Sequence, residues 1–156
     1  MKRGTLEVGD SAPPIDAEST DGRRIRLADY QGRYVVLYFF PKAFTPGCTA
    51  QARRFRDNYP ELRELGAEVI GVSVDDQATQ CDFAGRERLT FPMIGDADET
   101  ISRAYGARRA FLPFDKRVTF VIDPDGKVAA TFHHELQISK HLDDVLHFLR
   151  ARKQQR

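Results

Sequence analysis

Long apolar runs alternate with amphipathic segments along this chain, and the alternation predicts the order of its strands and helices. The runs at residues 34–40 and 68–74 are rich in β-branched and aromatic residues. Such runs are typical of strands buried on both faces, as in parallel sheets covered by helices. Residues 118–122 and 128–133 flank a turn sequence at residues 123–126, so they predict a β-hairpin.

Helical patterns fill the intervals between these strands. One begins near residue 46 and reaches residue 55, and Pro60 then bends or restarts it. Two shorter helices are predicted at about residues 78–87 and about residues 99–105. The last helix begins near residue 139 and carries its apolar residues on one stripe, which comprises Leu142, Val145, Leu146 and Leu149.

The N-terminal part of the chain carries weaker signals. Residues 1–12 are polar and are expected to hang over the edge of the domain. Pro13 and Pro14 then stiffen an extended segment. A turn at residues 21–22 precedes residues 23–27, which alternate in the manner of a strand.

The order of elements is strand, helix, strand, helix, β-hairpin and closing helix. This order predicts an α/β fold with a central mixed β-sheet flanked by helices, as in thioredoxin-like folds. A chain of 156 residues with 41% hydrophobic content suits one core. We therefore predict a single domain over residues 1–156.

Charge and hydropathy exclude several classes of partner. With 24 basic and 23 acidic residues, the chain has no sign bias that favours nucleic acid or an acidic membrane surface. Its longest apolar run spans residues 34–40, far below the roughly twenty residues that cross a bilayer. Residues 1–10 lack the apolar run of a signal peptide. We therefore predict a soluble, cytoplasmic protein without a nucleic-acid or membrane partner.

Candidate chemistry is concentrated around one of the two cysteines. Cys48 follows a buried strand and falls in the first turn of a helix that Pro46 and Gly47 open. Unpaired N–H groups and the helix dipole favour an anion there, so a thiol loses its proton readily and becomes a nucleophile. Thr45 is placed to hydrogen-bond near the sulfur, and Pro41 is placed to shield it. The alternative is that Cys48 is a small buried hydrophobic residue.

Pro41, Thr45 and Cys48 have the spacing of the peroxiredoxin signature, which is Pro, three residues, Thr, two residues, Cys. The chain resembles this family, and residues 38–49 resemble its bacterioferritin comigratory protein (peroxiredoxin Q) subfamily. Further matches occur in the same order along nearly the whole chain, at residues 8–13, 71–75, 91–96 and 117–123.

The resemblance implies a thiol-dependent peroxidase that reduces hydrogen peroxide and organic hydroperoxides through Cys48, in antioxidant defence. It implies that Arg117 is the active-site arginine. A charge at the start of a buried strand is otherwise unexpected, unless the side chain reaches solvent at the strand edge. No cofactor is implied. We predict no metal site, because the histidines do not pair with cysteines at metal-ligand spacing and are interpreted as ordinary surface or core residues, namely His133, His134, His141 and His147.

The second half of the reaction cycle is less defined. Many relatives carry a resolving cysteine five residues after the reactive one, where this chain has Arg53. Cys81 lies in the helix predicted at residues 78–87, about one turn from the place that another group of relatives uses. If Cys81 resolves, a disulfide with Cys48 forms, and thioredoxin or a similar thiol reductant reduces it. Otherwise, Cys81 is an ordinary helix residue, and an external thiol serves a one-cysteine peroxidase.

Three further points stay open from the sequence. Gln51 occupies a position where relatives often carry Glu, so a charge near the site is absent. Relatives of this kind include monomers and homodimers. Two rival functions are a thioredoxin-type disulfide oxidoreductase, which would need cysteine in place of Thr45, and a non-catalytic binding module that retains the fold.

Overall fold

The computed structural model describes residues 6–155 of the chain, and its main feature is a mixed five-stranded sheet. In sheet order the strands are β5 (Met93–Gly95), β4 (Ala67–Ser73), β3 (Tyr34–Phe39), β6 (Val118–Ile122) and β7 (Val128–His133). A separate antiparallel ribbon consists of β1 (Asp16–Glu18) and β2 (Arg24–Arg26), and a short 3₁₀ turn at Leu27–Tyr30 follows it. The helices are α1 (Pro46–Asp57), α2 (Tyr59–Glu64), α3 (Gln77–Arg86), α4 (Thr100–Ala104) and α5 (Ser139–Gln154).

The central strand β3 is buried along its whole length. Its alternate residues enter two different hydrophobic clusters, with Val36 and Tyr38 on one face and Leu37 and Phe39 on the other. The first face packs against α1, α3 and α5, and the second packs against α4 and the β1–β2 ribbon. Both faces are therefore covered, which confirms the predicted layered architecture of a mixed sheet flanked by helices.

Strand register decides where the reactive segment lies. β3 runs parallel to β4 and antiparallel to β6, and Phe39 pairs with Val72 on one side and with Val118 on the other. The carboxyl ends of β3 and β4 thus lie at the same edge of the sheet as the amino end of β6. The loop before Cys48 and the residue before β6, Arg117, are consequently brought to one place.

The predicted elements agree with the structure except near the chain's start and in the shortest strands. β1 and β5, with three residues each, were not predicted. Of the segment expected to hang over the domain edge, residues 6–12 lie against that edge and are hydrogen-bonded to it, whereas residues 1–5 lie outside the described residues. The Gly9 N–H donates to the Val128 carbonyl, and the Ala12 N–H donates to the Gly126 carbonyl. The outer edge of β7 supplies unpaired backbone groups, and this segment satisfies some of them.

A pair of buried carboxyl groups lies where α4 begins and where the chain enters β6. Asp96 accepts hydrogen bonds from the Ile101 and Ser102 N–H groups at the start of α4. Asp115 is fully buried two residues before Arg117. Burial, together with the negative charge of Asp96, raises the pKa of Asp115 to about 7 from an ordinary value of 3.8.

This raised pKa predicts a pH-dependent stability. Above about pH 4 the unfolded chain loses the Asp115 proton while the folded chain keeps it, so the free energy of unfolding falls until about pH 7 and then levels off. Asp115→Asn removes the ionisation. We expect this variant to match the wild type near pH 4 and to be more stable near pH 8 by up to about 4 kcal/mol.

Urea unfolding at several pH values measures this difference. Asp82→Asn, which alters an exposed aspartate on α3, is the matched control and should keep the wild-type pH dependence. A wild-type slope that persists unchanged in Asp115→Asn would show that another group causes it.

Candidate active site

Cys48 is the third residue of α1, as the sequence predicts, and only 1% of it is exposed. Thr45 is the N-cap residue and has extended backbone angles, and Pro46 occupies the first helical position. Proline suits this position because the missing N–H has no intrahelical partner there and its fixed φ already matches a helix. The six-residue loop between β3 and α1 therefore leads directly into a helix whose first turn carries the sulfur.

Two backbone N–H groups near the sulfur are unpaired within the described part of the chain. The first hydrogen bond of α1 runs from the Thr49 N–H to the Thr45 carbonyl, at 2.9 Å. The N–H groups of Gly47 and Cys48 precede it and have no acceptor among the described residues. Such groups at a helix N-terminus form a site that favours a thiolate or a developing oxyanion.

The loop before α1 is held by Asp75, which lies just after the neighbouring strand β4. The Ala43 N–H donates to Asp75 Oδ2 at 2.8 Å, and the Ser73 hydroxyl donates to the same oxygen at 2.6 Å. Asp75 and Asp76 both precede α3, but they have different partners. Asp76 caps the helix through the Thr79 N–H, whereas Asp75 is an anchor of the reactive loop.

Thr45 and Pro41, the other two predicted residues of this loop, are both half-buried. The Thr45 hydroxyl donates to the Lys42 carbonyl at 2.8 Å, so its oxygen keeps lone pairs for another donor. Between them, Phe44 has a φ of 69°, which is uncommon for a residue other than glycine. Its ring packs edge-on against Phe83 of α3, with 5.3 Å between the ring centroids, and so links the loop to that helix.

Arg117 lies beside Cys48, as the family resemblance implies. The residue is only 6% exposed, and its Nη2 lies 3.5 Å from Cys48 Sγ. Nη1 donates to Gln51 Oε1 at 2.7 Å, and Nε donates to the Glu135 carbonyl at 3.1 Å. The alternative of a strand-edge arginine that reaches solvent is therefore wrong.

Gly47 permits this close approach. A Cβ atom at this position would lie 2.7 Å from Ile138 Cδ1 and 3.2 Å from Arg117 Nη2. Both distances are shorter than ordinary van der Waals contacts, so a larger residue would displace the Ile138 side chain or the guanidinium. Packing, rather than backbone angles, thus favours glycine here.

Gln51, Glu135 and Ile138 complete the site, and the sequence analysis recognised only the first. Gln51 was noted because it replaces the glutamate of relatives, and it lies one helical turn after Cys48, where its side chain is fully buried. Glu135 and Ile138 lie in the segment between β7 and α5. A segment of this kind has no periodicity, so only the folded register shows that it reaches Arg117.

Cys81 and Cys48 are not joined by a disulfide, and both are free thiols. It is exposed on α3, in a shallow cleft of about 210 Å³ whose lining includes Thr20, Leu89 and Phe91. The neighbouring residues Gln80 and Phe83 point the other way and are fully buried. The structure therefore brings Arg117 into contact with Cys48, places Thr45 at the N-cap of the same helix and Pro41 in the loop before it, and leaves Cys81 on the surface.

Comparison with known proteins agrees with this geometry. Residues 8–131 match the model of the AhpC/TSA family. Peroxiredoxin Bcp of Escherichia coli K12 is 38% identical over 151 residues, which cover 93% of this chain and 96% of that protein. The chloroplastic peroxiredoxin Q of Gentiana triflora is 37% identical over 147 residues, which cover 94% of this chain and 68% of that protein.

Solved structures give the same relationship. Peroxidoxin BcpB of Mycobacterium tuberculosis superposes with a TM-score of 0.86 at 36% identity and covers 94% of this chain and 97% of its own. The bacterioferritin comigratory protein of Xanthomonas campestris, whose structure was described for its alkyl peroxide reduction activity, has a TM-score of 0.82 at 27% identity, with coverage of 94% and 99%. These relatives agree with a thiol at a helix N-terminus and a buried arginine beside it. The chain therefore belongs to the AhpC/TSA family, and it is a peroxiredoxin of the Bcp and peroxiredoxin Q kind, which is a thiol-dependent peroxidase.

Proposed function

We propose that Cys48 is the residue that attacks the peroxide, and that hydrogen peroxide and organic hydroperoxides are its substrates. The observation that carries this assignment is the 3.5 Å contact between Arg117 Nη2 and Cys48 Sγ at the start of α1. A guanidinium at this distance favours the thiolate, which is the nucleophilic form of the residue.

The reaction follows from the groups around the sulfur. The thiolate attacks the peroxide oxygen that carries the hydrogen, an S–O bond forms, and the O–O bond breaks. The leaving oxygen takes the bonding electron pair and a proton from solvent, which yields water or an alcohol, while the attacked oxygen keeps its hydrogen and Cys48 becomes a sulfenic acid. Arg117 and the unpaired N–H groups of Gly47 and Cys48 stabilise the negative charge on the peroxide oxygens. The Thr45 oxygen, whose own hydrogen is held by Lys42, accepts the peroxide O–H.

Pro41 and the buried loop residues limit access of bulk water. Pro41 opens the loop and is half-buried, and Ala43 is buried behind it. Exclusion of water strengthens each electrostatic interaction in the site, because the local dielectric constant falls.

The charge balance of Arg117 supports a thiolate as its partner. Its guanidinium donates to two neutral acceptors, the Gln51 amide and the Glu135 carbonyl. The Glu135 carboxylate accepts the backbone N–H of Arg117, forms an ion pair with Arg109 and hydrogen-bonds with His133 Nε2. Within the described residues no carboxylate forms an ion pair with the guanidinium, so the Cys48 thiolate is the anion that balances this buried charge.

Cys81 serves as the resolving residue in this proposal. A disulfide needs Cα atoms within about 7 Å, and an exposed thiol must move to meet a buried one. Unwinding of α3 would break its Asp76 cap and the two hydrogen bonds of the Gln80 amide, to Ser73 Oγ and the Ile94 carbonyl. Thioredoxin or a similar dithiol protein then reduces the disulfide by thiol exchange.

The remaining proposals concern the protein as a whole. We propose a single domain over residues 1–156 that works in the cytoplasm, without a cofactor, as a monomer or a homodimer. No helix in the described range is long and apolar enough to cross a membrane. The described residues also contain no group of three or more histidine, cysteine or acidic side chains that could hold a metal ion.

Replacement of the nucleophile tests the assignment directly. Cys48→Ser keeps the size of the side chain but removes the thiolate, so peroxide consumption with thioredoxin and thioredoxin reductase should fall to background. The matched control is Cys81→Ser, in which a single oxidation of Cys48 by peroxide is followed. Its rate constant should stay within about threefold of the wild-type value. Undiminished turnover in Cys48→Ser would refute the role of this residue.

Gln51→Glu tests the charge balance of Arg117. The new carboxylate would take the place of a neutral oxygen 2.7 Å from Nη1 and compete with the thiolate for the guanidinium. We expect the pH midpoint of Cys48 alkylation to rise, and oxidation by peroxide near pH 7 to slow by roughly three- to tenfold. Gln154→Glu, at the exposed end of α5, is the control and should have no effect; equal behaviour of the two variants would contradict the argument.

Mass spectrometry tests the resolving role. After one equivalent of peroxide, the wild type should yield a peptide that contains the Cys48–Cys81 disulfide, and Cys81→Ser should yield sulfenic or more oxidised Cys48 instead. If the wild type shows only oxidised Cys48, an external thiol completes the cycle. That outcome would leave the assignment of Cys48 intact.

A further inference from the structure

The Nε atom of Arg117 donates to a loop carbonyl, so the position of the guanidinium depends on the position of the loop. The acceptor is the Glu135 carbonyl, in the connection between β7 and α5. A connecting segment has no ladder of its own hydrogen bonds, so its position depends on contacts made by its neighbours. An arginine fixed by such a carbonyl is only as well placed as the loop.

His141 supplies the contact next to this carbonyl. It lies in the first turn of α5, its side chain is fully buried, and its Nε2 lies 2.8 Å from the carbonyl oxygen of His134. His134 immediately precedes Glu135. The ring of His134 packs edge-on against that of His141, and its Nε2 lies 2.6 Å from Asp144 Oδ2, so the residue before Glu135 is held at both its backbone and its side chain.

Thr119 fixes the imidazole from the sheet. Its Oγ1 lies 2.8 Å from His141 Nδ1. Thr119 and Arg117 are two residues apart in extended chain, so both project to the sheet face that α1 and α5 cover. The hydrogen bonds therefore form a closed path that runs from β6 through His141 to the loop and back to the Arg117 side chain.

The hydrogen-bond partners define the state of the imidazole. A carbonyl oxygen only accepts, so Nε2 carries the proton, and the Thr119 hydroxyl donates to Nδ1. Burial lowers the pKa of His141 to about 4; the backbone hydrogen bond to His134 and the charge of Asp144 oppose this shift, and the charges of His134 and Arg117 add to it. At neutral pH the ring is uncharged, which is the state that both hydrogen bonds require.

We propose that His141, held by Thr119, is a positioning residue for Arg117, because it fixes the loop whose carbonyl orients the guanidinium toward Cys48. The inference rests on the proposed roles of Cys48 and Arg117 and extends them to residues that touch neither the sulfur nor the substrate. A buried histidine that only stabilises the fold would affect unfolding but not the ionisation of Cys48.

Two amide substitutions separate these roles. Gln at position 141 places its amide near Nε2 and can still donate to the His134 carbonyl, whereas Asn reaches only the position of Nδ1. In a Cys81→Ser background, we expect His141→Asn to raise the pH midpoint of Cys48 alkylation by iodoacetamide. Oxidation of Cys48 by hydrogen peroxide near pH 7 should slow by roughly tenfold. His141→Gln should restore the alkylation midpoint to within about half a pH unit of the parent and the oxidation rate constant to within about threefold.

His147→Gln is the matched control, since it makes the same change at an exposed histidine of the same helix. Melting temperatures are recorded for every variant. If His141→Asn and His141→Gln both melt earlier but keep the parental alkylation profile and oxidation rate, the proposal is wrong.

Thr119→Val provides a second route in case the His141 variants do not fold. It keeps the imidazole and removes only the hydroxyl that donates to Nδ1, so the alkylation midpoint should move in the same direction as in His141→Asn. A parental midpoint in folded Thr119→Val overturns the proposal. Alkylation does not require peroxidase activity, so a parent that alkylates normally but does not react with peroxide would refute the proposed function and not this inference.

Discussion

The buried guanidinium of Arg117 is the group on which the arrangement of the site depends. It binds residues of α1 on one side and the connection between β7 and α5 on the other. A buried cation with neutral acceptors needs an anion, and in the proposed mechanism the Cys48 thiolate provides it. Oxidation to sulfenic acid would remove that anion. On this proposal the contact between Arg117 and Cys48 is less favourable after the sulfur has reacted than before.

Sheet register makes this contact possible. The ends of β3 and β4 and the start of β6 coincide at one edge, so a thiol after β3 and an arginine before β6 meet, although 69 residues separate them in sequence. The burial of β3 on both faces fixes that register, because a slip of one residue would exchange its two sets of side chains between unlike clusters. The hydrophobic core and the reactive site are consequently specified by the same strand.

The sequence predicted the parts of the site that are local and missed those that are not. Cys48 was found because strand, proline, glycine and cysteine lie within one short segment, and that segment defines its own geometry. Arg117 required the family resemblance as well as its unusual position before a buried strand. Glu135 and His141 carry no local signal, and their importance comes from register and packing between distant segments. The edge contacts of residues 6–12 were missed for the same reason, since a polar segment does not show that an open strand edge needs it.

Asp75 has a consequence for how the molecule fluctuates. One of its oxygens binds both the Ala43 N–H, in the reactive loop, and the Ser73 hydroxyl, which in turn accepts a hydrogen bond from Gln80 on α3. The ring of Phe44 also rests on Phe83 of the same helix. The loop and α3 therefore share their stabilising contacts and form one cooperative unit. Neither can open alone at low free energy, so a fluctuation that exposes the sulfur also loosens the helix that carries the second thiol.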